Sequence, residues 1–226
     1  MDLKANLDSI RARMAAACAR ASRPTESVSL LPVSKGQSPE IVCAAVELGL
    51  NAFGENRVQE AKSKIPLCPS RLRWHMIGHL QTNKCRETVR LFELVHSVDS
   101  MHIAAELNRC ADLAAKTVAI LLEVNVSGEA SKFGYAPTQL LTELVELNRF
   151  RRLEIRGLMT MAPWASDPEK ARPIFRRLAA LRSECNNILE APLPELSMGM
   201  SGDFEVAIEE GATIVRVGTA LFGERG

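Results

Sequence analysis

Apolar positions Leu3, Leu7, Ile10, Met14 and Ala17 recur at the spacing of one helical face, with Lys4, Arg11 and Arg13 elsewhere. They predict an amphipathic helix within residues 1–22. Past Arg23-Pro24 the pattern changes to short apolar runs alternating with longer helical stretches, which is the mark of βα units and a parallel sheet. The runs predict strands at Ser29–Ser34, Ala52–Glu55, Trp74–Gly78, Leu94–Asp99, Ala119–Val126, Ile155–Met161, Leu196–Met200 and Ile214–Gly218. Helices are predicted between them over Pro39–Leu48, Asn56–Lys64, Thr82–Leu91, Met101–Lys116, Thr138–Asn148, Pro168–Leu189 and Asp203–Glu210, most opened by a cap-forming Ser, Asn, Thr or Asp.

Eight parallel strands with helices between them close most naturally into a (β/α)8 TIM barrel, here with an extra N-terminal helix, and 226 residues lies near the lower end of the usual length. The rival is a doubly wound open sheet. Its GxGxxG turn is missing after the first run, where the chain reads Ser34-Lys35-Gly36-Gln37. No Pro/Gly/Ser-rich linker interrupts the pattern, so residues 1–226 are expected to form a single domain.

Composition narrows the partners. Lys+Arg at 28 against Asp+Glu at 27 leaves a formal net charge of +1, which offers no broad basic field for nucleic acid. No uninterrupted apolar run approaches the roughly 18 residues of a membrane span. Cys18, Cys43, Cys68, Cys85, Cys110 and Cys185 are scattered without a CxxC pair, and no signal-like segment opens the sequence, so a reduced, cytoplasmic location is expected.

In barrels of this kind the chemistry sits at the carboxyl ends of the strands. Those ends carry Lys35, Glu55 with Asn56, Gly78 with His79, Asp99 with Ser100, Asn125, Met159–Met161, Ser197–Ser201 and Arg216–Thr219. The loops after the seventh and eighth strands frequently hold phosphate. Here Gly199, Gly202 and Gly218 would let the chain approach an anion, while Ser197, Ser201 and Thr219 offer hydroxyls. A lysine on the first strand beside such a cup suits pyridoxal 5′-phosphate, whose aldehyde forms a Schiff base with an amine of lowered pKa. Arg216 can only donate hydrogen bonds, so facing the pyridine nitrogen it would keep that nitrogen unprotonated.

Each feature has a plainer alternative. Lys35 could pack its stem and extend its head to solvent; the glycine loops could be ordinary turns; Arg216 could pair with Glu209 or Glu210. His75 and His79 have a His-x3-His spacing, but a strand running into a turn splays the rings, and no metal site is expected. Arg149, Arg151, Arg152 and Arg156 read as a solvated face at a strand start.

The sequence resembles the pyridoxal phosphate homeostasis proteins, single-domain relatives of the alanine racemase barrel. The matching segments are Val33-Ser34-Lys35, Phe53 to Glu60 (FGENRVQE), Trp74 to Lys84 (WHMIGHLQTNK), Arg156-Gly157-Leu158-Met159, Ser197-Met198-Gly199-Met200-Ser201 and Val215-Arg216-Val217-Gly218, which span the first strand to the last. The resemblance implies covalent cofactor binding through Lys35, phosphate contacts from Ser201, Gly218 and Thr219, a ring-nitrogen contact from Arg216 and a nearby contribution from Asn56. Met198 completes the expected cofactor-binding set, although packing is the default role for the methionines around the mouth. The chain departs from relatives at Gly36-Gln37 and His79, on the pocket rim.

A racemase needs acid/base groups on both faces of its substrate. This chain has one tyrosine, Tyr135, in a loop after the fifth strand where a rim or surface position is expected. The expected function is therefore a carrier that holds pyridoxal phosphate for supply or delivery, with PLP-dependent apoenzymes as candidate partners and a monomeric state. The alternatives are a weak amino-acid racemase or related enzyme, and a barrel binding another phosphorylated metabolite without an imine.

Overall fold

The structure, a computed structural model, describes residues 2–129 and 131–223. The chain runs α1 (Leu3–Arg20), β1 (Ser29–Pro32), α2 (Pro39–Glu47), β2 (Ala52–Glu55), α3 (Val58–Lys64), β3 (Arg73–Met76), α4 (Cys85–Leu91), β4 (Leu94–Val98) and α5 (Met101–Leu113). It continues with β5 (Val118–Glu123), α6 (Pro137–Leu147), β6 (Leu153–Met159), α7 (Arg172–Leu189), β7 (Glu195–Ser197), α8 (Phe204–Glu209), β8 (Ile214–Val217) and α9 (Thr219–Phe222). All strand pairs are parallel, in the order β1-β8-β7-β6-β5-β4-β3-β2. The last seam is joined by a parallel bridge between Val33 and Gly54, with Ser34 N–H donating to the Gly54 carbonyl at 3.0 Å. The result is the (β/α)8 TIM barrel expected from the sequence.

Every strand run was legible, and most strands end earlier than the apolar runs do. β1 stops at Pro32 and β8 at Val217, the last pair of their shared ladder, with Val33 N–H still donating to Val217 O at 2.9 Å just beyond it. The turns beyond carry Lys35, Ser201, Gly218 and Thr219, while Arg216 lies within β8. The helix α9 was not anticipated; it is four residues long and begins where a turn was expected.

Alternation along each strand separates two apolar layers. Leu31, Val33, Ile77, Leu94, Leu121, Met159 and Ile214 cluster inside the barrel. Phe53, Trp74, Val95, Ile120, Leu158, Leu196, Val215 and Val217 pack outward against the helices. The N-terminal helix buries its predicted face, Leu7, Ile10, Met14 and Ala17, and is tied to the closing elements by Arg13–Glu205 and Arg20–Glu209 ion pairs, both 2.6 Å. Asn6 Nδ2 also donates to Leu221 O at 2.9 Å. Among the described residues no helix is long and apolar enough to cross a membrane.

Gly157 leaves no room for a side chain between β6 and β7. A Cβ there would lie 1.9 Å from the Glu195 carbonyl oxygen of β7. Gly157→Ala is expected to cost about 1–3 kcal/mol or more, as overpacking does, seen as a lower urea midpoint. An unchanged midpoint would contradict this account of the β6–β7 contact.

Candidate functional site

Lys35 and the glycine loops share one mouth, because their strands are paired. β1 pairs with β8 through Leu31↔Arg216 and Pro32↔Val217, and Val33 N–H donates to Val217 O at 2.9 Å. A Cβ on Gly218 would sit 3.5 Å from Val33 Cβ and O, so the residue two before Lys35 touches the first residue after β8. Leu31 and Val33 face the barrel interior, and alternation returns Lys35 to that side. Lys35 is half-buried in the turn that follows.

That turn is clasped from outside by a buried polar group. Ser34 Oγ donates to Glu55 Oε1 at 2.7 Å, and Lys64 Nζ donates to Glu55 Oε1 at 2.7 Å, to Ser34 O at 2.7 Å and to Glu60 Oε1 at 2.8 Å. Glu60 Oε1 also accepts from Gly36 N–H at 2.6 Å. Of the residues flanking Lys35, Ser34 is thus held to β2 and α3, and Gly36 to α3. Burial raises the Glu55 carboxyl above its ordinary range, with Lys64 and Ser34 opposing. Burial acts the same way on Glu60, yet Lys64 and the Gly36 N–H hold that carboxyl below its ordinary range.

Arg216 lies inside the barrel, 4% exposed, and does not pair with Glu209 or Glu210, which Arg172 engages instead. Its Nη1 donates to Ser197 Oγ at 2.6 Å and its Nη2 to Thr160 O at 2.9 Å. Burial lowers its pKa to about 10, while Glu123 and Asp203 act in the opposite direction. A guanidinium has five N–H donors, and two of these bonds are to the protein, so donors remain for a ligand acceptor.

The loops after β7 and β8 meet. Ser201 Oγ accepts from Ala220 N–H at 3.2 Å, joining the two loops at the start of α9. The first amides of a helix have no intrahelical acceptor, and Thr219 supplies one of them at an exposed position beside half-buried Gly218. Gly199 has φ +90°, and a Cβ on it would lie 2.5 Å from Ala207 Cβ, so this loop needs a glycine to pack on α8. Asp203 does not cap α8; its Oδ1 accepts from Met200 N–H at 2.6 Å. The Asp203 carboxylate is thereby engaged by its own loop.

The structure assembles Lys35, Ser201, Arg216, Gly218 and Thr219 from the adjacent ends of β1, β7 and β8, with half-buried Asn56 following β2 on the same rim. The Met198 side chain belongs to the outer apolar layer, so a ligand contact from this residue would have to come from its main chain. Ser197 was expected to offer its hydroxyl to the phosphate cup; instead it is fully buried between His96 and Arg216. Tyr135 was expected on the rim and is 1% exposed, because its loop turns back and Tyr135 N–H donates to Glu123 O at 2.8 Å.

Sequence reasoning missed Glu123, Lys64 and His96. Glu123 is a carboxylate at the end of a buried strand; burial raises its pKa to about 7, with Asp99 adding and Arg216 and Lys132 opposing. Its signal was a single acid closing the run Val118–Leu122. A cavity of about 720 Å³ adjoins the mouth, bounded by His79, Thr82, Asp99, Lys132 and Phe133. There His79 Nδ1 lies 3.0 Å from Asp99 Oδ2 and its ring stacks on Phe133 at 3.6 Å.

Residues 5–226 match the family described as alanine racemase, N-terminal domain. A pyridoxal phosphate homeostasis protein of Aquifex aeolicus is 45% identical over 97% of this chain and 96% of its own length. The structures of PipY from Synechococcus elongatus without and with PLP bound are 38% identical, cover 95% of this chain and all of their own, and superpose with TM-scores of 0.85 and 0.83. An alanine racemase of Clostridium difficile, 15% identical, shares the fold with a TM-score of 0.80, covering 99% of this chain and 57% of its own.

The clasp around Lys35 generates a pH-dependent expectation. A carboxyl whose folded pKa is raised contributes stability below its unfolded value, and that contribution is lost as pH rises through the folded pKa. Lys64→Met removes the charge that offsets the burial of Glu55, so it is expected to cost about 3–5 kcal/mol near pH 8. The cost should shrink toward pH 5, where Glu55 can take up a proton, and Glu55→Gln in the same chain should recover part of it. Urea midpoints measured at both pH values check this; a cost independent of pH would contradict it.

Proposed function

Because the chain belongs to the alanine racemase N-terminal domain family, and within it to the pyridoxal phosphate homeostasis proteins, we propose that it binds pyridoxal 5′-phosphate at the β1–β8 mouth and contributes to intracellular supply or delivery of the cofactor. The observation that carries this reading is the pairing of β1 with β8, which sets the Lys35 turn beside Gly218 with Arg216 two residue pairs deeper. When bound, pyridoxal phosphate supplies an aldehyde that reacts with primary amines.

Each residue then has a task that its chemistry suits. Lys35 provides the anchoring amine. Ser201, Gly218 and Thr219 offer hydroxyl and backbone N–H donors to the phosphate, and Asn56 and the Met198 main chain border the same rim. Arg216, with N–H donors beyond its bonds to Ser197 and Thr160, holds the pyridine nitrogen unprotonated and so weakens the ring as an electron sink. That favours holding the cofactor over turning over an amino acid.

The racemase alternative lacks support from the one tyrosine, since Tyr135 is buried in the core with no hydrogen-bond partner for its hydroxyl among the described residues. A cytoplasmic monomer handing the cofactor to PLP-dependent apoenzymes accords with this reading.

Incubation with pyridoxal phosphate, borohydride reduction, digestion and mass spectrometry should place a pyridoxyl phosphate adduct on the peptide bearing Lys35 and none on Lys35→Ala. The loaded protein should not racemise alanine. An adduct confined to other lysines would overturn the reading, and sustained racemisation that disappears in Lys35→Ala would replace it with an enzyme.

A further inference from the structure

A line of buried polar side chains crosses the barrel from Arg216 toward the mouth opposite Lys35. Arg216 Nη1 donates to Ser197 Oγ at 2.6 Å; Ser197 Oγ lies 2.9 Å from His96 Nδ1; His96 Nε2 lies 3.0 Å from His75 Nδ1. Burial holds His75 far down, to about 4, with Arg73 adding, and burial likewise holds His96 well below its ordinary value, with His75 and Arg216 adding. Both imidazoles are therefore neutral near pH 7, and each has one donor and one acceptor nitrogen.

The direction of the line follows from its first member. Arginine only donates, so Ser197 Oγ accepts from it. The buried Ser197 hydroxyl then needs an acceptor for its own proton, since an unmade buried bond is costly, and His96 Nδ1 is the acceptor within reach. His96 must then carry its proton on Nε2 and donate to His75 Nδ1. His75 in turn must carry its proton on Nε2, the nitrogen left over for the far mouth.

His75 is half-buried there, on the wall of a cavity of about 610 Å³ at the amino ends of the strands, a volume within the usual range for small-molecule sites. Leu31, Leu94 and Ile214 give the cavity an apolar floor, and Arg11, Arg73 and Arg156 stand around it against Glu93 and Glu195. Arg156 is engaged by Glu154 at 3.2 Å and Glu195 at 3.7 Å, whereas among the described residues Arg73 meets a neutral partner, Asn51 Oδ1, at 3.2 Å. A guanidinium fork without a carboxylate, an N–H donor and an apolar floor together match a carboxylate with a short hydrocarbon body.

We propose that the amino-terminal mouth of the barrel is a second ligand site, selective for a small organic carboxylate, held by Arg73 and by the Nε2–H that Arg216 imposes on His75 through Ser197 and His96. The site lies at the mouth opposite Lys35.

Long-range ¹H–¹⁵N spectra of the imidazoles of the uniformly labelled protein at pH 7.5 are expected to show His75 and His96 as Nε2–H tautomers. Sodium butyrate, titrated at constant ionic strength, should shift the His75 ring signals saturably, while butylamine should not. Arg73→Met, at an exposed position, should weaken butyrate by about tenfold or more and leave the tautomers as they were. His75 protonated on Nδ1, a shift that does not saturate, or one insensitive to Arg73→Met would each overturn the proposal.

Discussion

The parallel pairing of β1 with β8 is the constraint on which the site depends. Ser29↔Ile214 through Pro32↔Val217 fixes a register in which the chain leaves both strands at the same height. A slip of one residue would turn Arg216 out of the barrel and exchange it with Val215 or Val217, which line the outer layer. The N-terminal helix protects that register, since its ion pairs to α8 and its bond to α9 hold the closing elements against the start of the chain.

A second requirement follows from placing a permanent cation inside. A guanidinium removed from water needs acceptors and compensating charge. Arg216 finds Ser197 Oγ and the Thr160 carbonyl, and it feels Glu123 and Asp203. Ser197 in turn requires His96, and His96 requires His75, so one charge near one mouth dictates proton positions as far as the other. The same logic, outside the barrel wall, ties Lys64 to Glu55, Glu60 and Ser34 and so immobilises the turn that carries Lys35.

The barrel was legible because parallel strands buried on both faces read as apolar runs, and the helices between them keep their own period. Lys35, Gly218 and Thr219 were legible because they follow such runs directly. The fate of Arg216 was not, since a charged residue in a strand can face either way until Ile214 is known to point inward. His96 was hidden for a related reason: β4 is buried along its whole length, so the two polar residues His96 and Ser97 among Leu94, Val95 and Val98 give no sign of which has a partner on β7. Tyr135 was misread because only the folded loop reveals the bridge between Val124 and Tyr135 that carries it into the core.

The most direct test of the central claim is a crystal structure of the protein soaked with pyridoxal phosphate. The account predicts phosphate density against Ser201, Gly218 and Thr219, continuous density from the ligand to Lys35 Nζ, and Arg216 beside the ring nitrogen. A phosphate bound elsewhere, or a Lys35 side chain directed away from the β8 loop with the ligand in place, would contradict it.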